Sequence, residues 1–202
     1  MQCGKGASAC QTVGIALVSA VSWHDCLIAT ESGEPFGAAG RTNQVLHAER
    51  PVKLAGSSLD RSRHVCAFFH SRDEEYQVLL PYIREGFEYG DRAFHIVDAE
   101  HRPEHLHRLT EGGINVATAE PTGQLAVLPW EEAYLRGGHF DQMAMLRLIE
   151  DVLEDGKTRG FRLTRLLANM EWALQNRPGV QDIVEYETRL NYVLPKYDDA
   201  VV

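Results

Sequence analysis

The clearest hydrophobic pattern in the chain lies between Arg63 and Asp98. Val65–Phe69 is a continuous apolar run, as expected of a strand covered on both faces. Ser71-Arg72-Asp73-Glu74 then fits a capping box at a helix start. Apolar side chains recur at helical spacing after it: Tyr76, Leu79, Leu80, Ile83 and Phe87. Ala93–Val97 is a second apolar run, so the pattern predicts a β-α-β unit with a right-handed crossover.

Helical and strand patterns continue to alternate after this unit. A helix is predicted from Pro103 to about Glu111, where Gly112 and Gly113 end it. Short strands are predicted at Ile114–Ala119 and Gln124–Leu128, on either side of a Pro-Thr-Gly turn.

The second half of the chain repeats this alternation. Asp141 is predicted to cap a long helix, and Leu163–Met170 is predicted to form the next strand. A last helix is predicted at Val180–Leu190, with Val180, Ile183, Val184 and Leu190 on one face, and Ala200–Val202 opens a further strand. The alternation predicts an α/β fold with a mostly parallel sheet and helices on both faces.

Composition narrows the classes of function. The 202 residues suggest one domain with an extension, and a hydrophobic content of 44% is enough for a core. With 29 acidic and 20 basic residues the formal net charge is -9, which argues against direct contact with nucleic acid. No apolar stretch reaches the roughly 20 residues that span a bilayer, so no membrane association is expected.

Residues 1–50 differ from the remainder, being rich in Ala, Gly, Ser and Thr and containing Cys3, Cys10 and Cys26. We expect a disordered extension there, with a signal peptide around residues 13–21 or a misplaced start codon as alternatives. Residues 51–202 are expected to form the compact domain. Since this part has Cys66 as its only cysteine, we expect no disulfide framework and a reducing, cytoplasmic location.

The carboxyl ends of the predicted strands are the expected place for a ligand, because open α/β sheets bind ligands there. Met170-Glu171-Trp172 lies at the carboxyl end of a predicted strand and combines a carboxylate with an indole, which suits the wall of a ligand crevice. Core filling is the alternative explanation for Trp172. The candidate ligand-binding residues are Phe69, His70, Asp98, Trp130, Met170, Glu171 and Trp172.

Other polar clusters have simpler explanations than catalysis or metal binding. His101, His105 and His107 lack a clustered cysteine or carboxylate, so a solvated helix face is expected rather than a metal site. Asp73, Glu74 and Glu75 fit capping and the helix dipole.

The apolar segments contain polar residues of their own. Cys66 is expected to be a core residue rather than a nucleophile. His64 and His95 are expected to be buried, neutral and hydrogen-bonded. We therefore expect no catalytic residue, no metal and no cofactor.

Four segments carry a family resemblance: Arg63–Phe69, Ala93–Asp98, Met170–Leu174 and Val184–Glu187. Together they resemble the MEDS domain, a sensory domain of methanogens and methylotrophs, from about Val52 to the end of the sequence. The resemblance implies a non-catalytic sensory domain of a transcriptional or signalling regulator, with small apolar hydrocarbon derivatives as ligands and a regulator or kinase protein as partner. It also implies a RecA-like fold that has lost its phosphate loop.

The residues agree with the loss of that loop, because the turn Phe69-His70-Ser71-Arg72 has neither the glycines nor the lysine that cradle phosphates. The alternatives are a divergent RecA-like ATPase with Glu171 as its base, and a purely structural interaction module. Two departures from the family pattern are expected to matter. Residues 1–50 show no helix-turn-helix, and a Cys-x-Tyr-Asp-like segment is missing, so the domain is expected to lack its last strand.

Overall fold

The computed structural model describes residues 51–59 and 63–202, and the expectations for residues 1–50 lie outside these ranges. The strands are β1 (Val52–Leu54), β2 (Ser57–Leu59), β3 (Arg92–Val97), β4 (Leu125–Pro129), β5 (Thr164–Ala168) and β6 (Ala200–Val201). The α-helices are α1 (Arg72–Glu88), α2 (Arg102–Glu111), α3 (Val116–Thr122), α4 (Gln142–Thr158) and α5 (Ile183–Val193). None of the helices in the described ranges is long and apolar enough to cross a membrane.

The central sheet has four parallel strands in the order β4-β3-β5-β6, and β1 and β2 form a separate antiparallel hairpin. Strand residues alternate between two hydrophobic clusters: Phe94 and Leu166 pack with α4 and α5, whereas Ala93 and Leu167 pack with α1, α2 and the hairpin. The predicted α/β fold, with a parallel sheet and helices on both faces, is therefore confirmed.

The predicted strand Val65–Phe69 is wrong in its extent. His64 makes a single parallel bridge to Val201, and the Val65 amide donates to the Val201 carbonyl at 2.9 Å. The chain then leaves the sheet, and Phe68 is 74% exposed. We call residues 63–67 the edge segment, because it lies beside β6 at the border of the sheet.

The predicted strand Ile114–Ala119 is also wrong, because most of these residues form α3. The Asn115 side chain accepts a hydrogen bond from the Thr118 amide at 3.2 Å and caps the helix. Gly123 ends it in the left-handed region at φ 74°. Cap chemistry at both ends therefore outweighs the short apolar pattern between them.

The predicted helix starts agree well with the structure. Ser71 Oγ accepts from the Glu74 amide at 3.2 Å, and the Glu74 carboxylate accepts from the His70 amide at 2.6 Å. Asp141 caps α4 through the amides of Met143 and Ala144. The face of α5 was predicted less well, because Val184 is 72% exposed.

Candidate functional site

The seven residues predicted to bind a ligand all follow the edge segment or a parallel strand. Asp98 follows β3, Trp130 follows β4, and Met170 to Trp172 follow β5. Because the strands are parallel, these residues share one end of the sheet. We call this set the rim: Phe69, His70, Asp98, Trp130, Met170, Glu171 and Trp172.

The two tryptophans of the rim are packed into the core. Trp172 is 0% exposed, and its ring centroid lies 5.1 Å from those of Tyr134 and Phe140. Trp130 is also buried, and its indole Nε1 donates to the Asn169 carbonyl at 2.9 Å. The two indole rings therefore belong to the hydrophobic core at the carboxyl ends of the strands.

The charged side chains of the rim are partly exposed and pair with residues next to the rim. Arg72 at the start of α1 forms an ion pair of 2.8 Å with Glu171, whose side chain is 48% exposed. Asp98 accepts from the Glu100 amide at 2.9 Å and lies 3.4 Å from His101. The rim thus combines partly exposed charged side chains with two buried tryptophans.

A second region lies beside the sheet, between the edge segment and α5. It is a groove of about 260 Å³. Its lining residues are His64, Cys66, Ile183, Val184, Glu187, Thr188 and Asn191. His64 and Cys66 are two residues apart in extended chain, so their side chains point the same way. Glu187 and Asn191 are four residues apart on α5 and share one helix face. The edge segment and α5 therefore both direct polar side chains into the groove.

The polar groups of the groove are close to one another. His64 Nε2 lies 3.2 Å from Glu187 Oε2, and Cys66 Sγ lies 4.0 Å from the same oxygen. His64 Nδ1 lies 3.0 Å from Asn191 Oδ1. Cys66 is half-buried rather than a core residue, which corrects the prediction from its apolar surroundings.

The chain matches the family described as the methanogen/methylotroph, DcmR sensory domain (MEDS) over residues 63–202. It belongs to the MEDS family. Two of the four segments that carry the resemblance, Arg63–Phe69 and Val184–Glu187, supply His64, Cys66 and Glu187 of the groove.

The MEDS domain is similar to the transcriptional repressor DcmR of Methylorubrum extorquens, with 28% identity over 167 residues. The match covers 83% of this chain and 60% of the repressor, so the chain spans less than two thirds of its relative. No solved structure matches the chain.

Burial and the neighbouring carboxylate set the protonation of the groove. Burial by itself lowers the pKa of His64, but the hydrogen bonds to Glu187 and Asn191 outweigh it and raise the pKa above its ordinary value. Burial raises the pKa of the Cys66 thiol, and the charge of Glu187 adds to this effect.

A buried chain of hydrogen bonds lies elsewhere in the MEDS domain. His105 Nδ1 lies 2.8 Å from the Tyr76 hydroxyl, and His105 Nε2 lies 2.8 Å from His95 Nδ1. The predicted solvated face is therefore wrong for His105, although His107 is exposed. Burial lowers the pKa of both buried histidines, that of His105 to about 4, so both are neutral as predicted for His95.

Sequence reasoning missed Asn169 and the groove residues. Asn169 joins the strand ends: its amide donates to Ile96, its carbonyl accepts from Trp130, and its side chain accepts from the Glu171 amide. A polar residue directly after a buried strand was the available signal. For the groove, the signals were the two-residue spacing of His64 and Cys66 and the four-residue spacing of Glu187 and Asn191.

Proposed function

We propose that this MEDS domain is the small-molecule sensor of a transcriptional or signalling regulator. Its family membership carries the proposal, and the likeness to a transcriptional repressor supports it. The proposed ligand is a small, largely apolar hydrocarbon derivative. A regulator or kinase protein receives the signal in the cytoplasm, and the domain itself touches neither nucleic acid nor membrane and catalyses no reaction.

The rim is the proposed ligand site. Phe69 and Met170 are partly buried apolar residues that lie close in sequence to Arg72 and Glu171, the partners of an ion pair, and they pack against different hydrophobic clusters. Since this ion pair is partly exposed, breaking it costs little free energy. The polar head group of a ligand can therefore take the place of either Arg72 or Glu171 in the pair. The pair would then hold the head of a ligand whose apolar part lies on the rim, which is how small-molecule sites commonly fix orientation.

The start of α1 supports a sensor over an ATPase, the second candidate function. A RecA-like ATPase uses free amides there to hold phosphate. Here the Glu74 amide donates to Ser71, and the His70 amide donates to Glu74. Asp73, Glu74 and Glu75 add negative charge that repels a triphosphate. A RecA-like ancestry with a lost phosphate loop is thus part of the proposal.

A ligand screen on the full chain tests the proposed function. The probes are a panel of short alcohols, aldehydes and haloalkanes, with Mg-ATP as the competing probe, and binding is followed by calorimetry. We expect a panel member to bind, Mg-ATP not to bind at micromolar concentration, and Glu171→Gln to weaken a polar-headed ligand by about 1–3 kcal/mol.

Glu88→Gln is the matched control, because Glu88 is exposed on α1 and pairs only with Arg84 among the described contacts. This variant should bind like the parent. Binding of Mg-ATP at micromolar concentration, with ATP turnover that Glu171→Gln abolishes, would contradict the proposed sensor function and favour the ATPase.

A further inference from the structure

The groove brings together three side chains that are all common metal ligands. The imidazole of His64, the thiol of Cys66 and the carboxylate of Glu187 place their ligand atoms within 4.8 Å of one another. They come from two separate parts of the chain, the edge segment and α5. The groove beside them supplies room for an ion.

The hydrogen bonds of Asn191 determine which nitrogen of His64 faces this centre. Asn191 Nδ2 donates to the Glu187 carbonyl at 3.3 Å, so Oδ1 is the atom that faces His64. The Nδ1 atom of His64 must then carry the proton of that hydrogen bond. In neutral His64 the lone pair of Nε2 therefore points at the carboxylate of Glu187, 3.2 Å away.

Two acceptors at that distance repel unless a positive charge lies between them. Either a second proton on His64 or a metal ion satisfies both. A second proton on His64 satisfies Glu187, and the Cys66 thiol is placed to donate a weak hydrogen bond to the same carboxylate oxygen at 4.0 Å. A metal ion would replace both protons and bind all three groups at once.

We propose that the groove binds one divalent transition-metal ion of the zinc class through His64 Nε2, Cys66 Sγ and the Glu187 carboxylate. Mixed nitrogen, sulfur and oxygen ligands suit Zn²⁺, whereas Mg²⁺ and Ca²⁺ take oxygen ligands. Tetrahedral zinc with bonds of about 2.0–2.3 Å separates its ligand atoms by roughly 3.3–3.6 Å. The 3.2 Å between His64 Nε2 and Glu187 Oε2 is close to this separation. Cys66 Sγ, 4.0 Å from the same oxygen, has to move closer when the ion binds.

The surroundings support a metal site with an exchangeable position. Asn191 orients the His64 ring in the way that outer hydrogen-bond partners orient metal-binding histidines. Three protein ligands leave a fourth position for water or for a donor atom of a small molecule. Ile183 and Val184 supply apolar walls next to it. This site is separate from the rim and does not depend on the proposed ligand there.

Cobalt spectroscopy of the full chain tests the metal site. Cys3, Cys10 and Cys26 are replaced by Ser in a background protein, so that Cys66 is the sole thiol. Co²⁺ is then added to the reduced, metal-free protein. We expect a thiolate-to-cobalt charge-transfer band that saturates at one equivalent and disappears when Zn²⁺ is added.

Matched variants in this background assign the ligands. His64→Gln and Glu187→Gln should each weaken Co²⁺ binding at least about tenfold. The controls His107→Gln and Glu185→Gln change exposed residues with local ion pairs and should bind like the background protein. Thermal unfolding verifies that each variant folds. If His64→Gln does not fold, the result for Glu187→Gln decides, because the Glu187 side chain is more exposed (25%) than that of His64 (12%).

Two results would overturn the proposal. The absence of a charge-transfer band in the background protein would mean that only a proton joins His64 and Glu187. A band with unchanged affinity in Glu187→Gln would place the metal elsewhere.

Discussion

The rim and the groove belong to one sheet but are built in different ways. At the rim, Trp130 and Trp172 fill the space under the strand ends, and Arg72 and Glu171 satisfy each other at the surface. At the groove, about 260 Å³ stays open, and the polar groups converge on one point. The rim is therefore a surface whose interior is filled by aromatic side chains and whose charged groups are partly exposed. The groove is a cleft whose polar groups face its interior.

The difference follows from how each region is bordered. Strands β3, β4 and β5 are covered by helices on both faces, so large aromatic side chains close their ends. The edge segment pairs with β6 through one bridge only, and α5 covers it from one side. An irregular border leaves a cleft where a regular sheet would pack tightly.

The largest expected effect separates the filled region from the open one. Trp172→Ala removes a fully buried indole and should lower the free energy of unfolding by roughly 3–5 kcal/mol. Val184→Ala in the groove changes an exposed residue and should stay within about 0.5 kcal/mol. Urea unfolding measures both; comparable losses would show that the groove is packed as tightly as the rim.

The second prediction concerns the pH dependence of stability and the buried His105 in α2, a helix that begins next to the rim. His105 in α2 has its pKa lowered from 6.5 to about 4 by burial and by the charges of Arg102 and Arg72. Between these pH values the unfolded chain binds a proton that the folded domain does not. The stabilisation that neutral His105 contributes should thus be complete above pH 6.5 and be lost as the pH drops towards 4, by an amount on the order of 3 kcal/mol. Burial raises the pKa of Asp199 to about 6, which acts in the opposite direction over the same range, so the contribution of His105 is read from the difference between the parent and His105→Gln.

Urea unfolding at several pH values measures this loss. His105→Gln should remove the contribution of His105, whereas the contribution of His95, whose pKa is also lowered by burial, remains. His107→Gln on the same helix is the control and should keep the parent slope, since His107 is exposed. An unchanged slope in His105→Gln would contradict the buried hydrogen-bond chain as its origin.

The third effect belongs to the groove. Asn191→Ala removes the partner of His64 Nδ1 but no proposed metal ligand, and should weaken Co²⁺ binding about 10–100-fold. Competition with a chelator of known affinity measures the change. Equal affinity would mean that Asn191 does not orient His64, and the tautomer would have to be reconsidered.

The smallest expected effect is on the stability of the rim. Glu171→Gln breaks an ion pair with Arg72 whose side chains are 27% and 48% exposed. Such pairs contribute about 0–1 kcal/mol, so thermal unfolding should change little. A loss of several kcal/mol would show that Glu171 is structural, and its effect on ligand binding could no longer be interpreted separately.

Local chemistry made the helix starts of the fold predictable. Ser71 and Asp141 accept backbone hydrogen bonds as their residue types indicate, and the alternation of elements correctly gave a parallel α/β sheet. Asn115 is also a good cap, but the apolar residues beside it were assigned to a strand. Short apolar runs do not distinguish helix from strand without their caps.

The positions of candidate site residues were predictable from the sequence only where the strand topology alone determines them. Parallel strands bring Asp98, Trp130 and Glu171 to one end of the sheet whatever the details of packing. The groove depends on a tertiary contact between residues more than a hundred positions apart, His64 and Glu187. The spacing of polar residues within each segment does not show that the two segments meet, so the apolar neighbours of Cys66 predict an ordinary core residue.

Chemical-shift mapping by nuclear magnetic resonance tests most directly whether the rim and the groove are separate sites. One equivalent of Zn²⁺ is added to the ¹⁵N-labelled full chain in which Cys66 is the only cysteine. We predict shifts of the backbone amides at residues 64–66 and 183–191, with the amides at 69–72, 98 and 169–172 unmoved. Shifts at the rim with an unchanged groove would contradict the account.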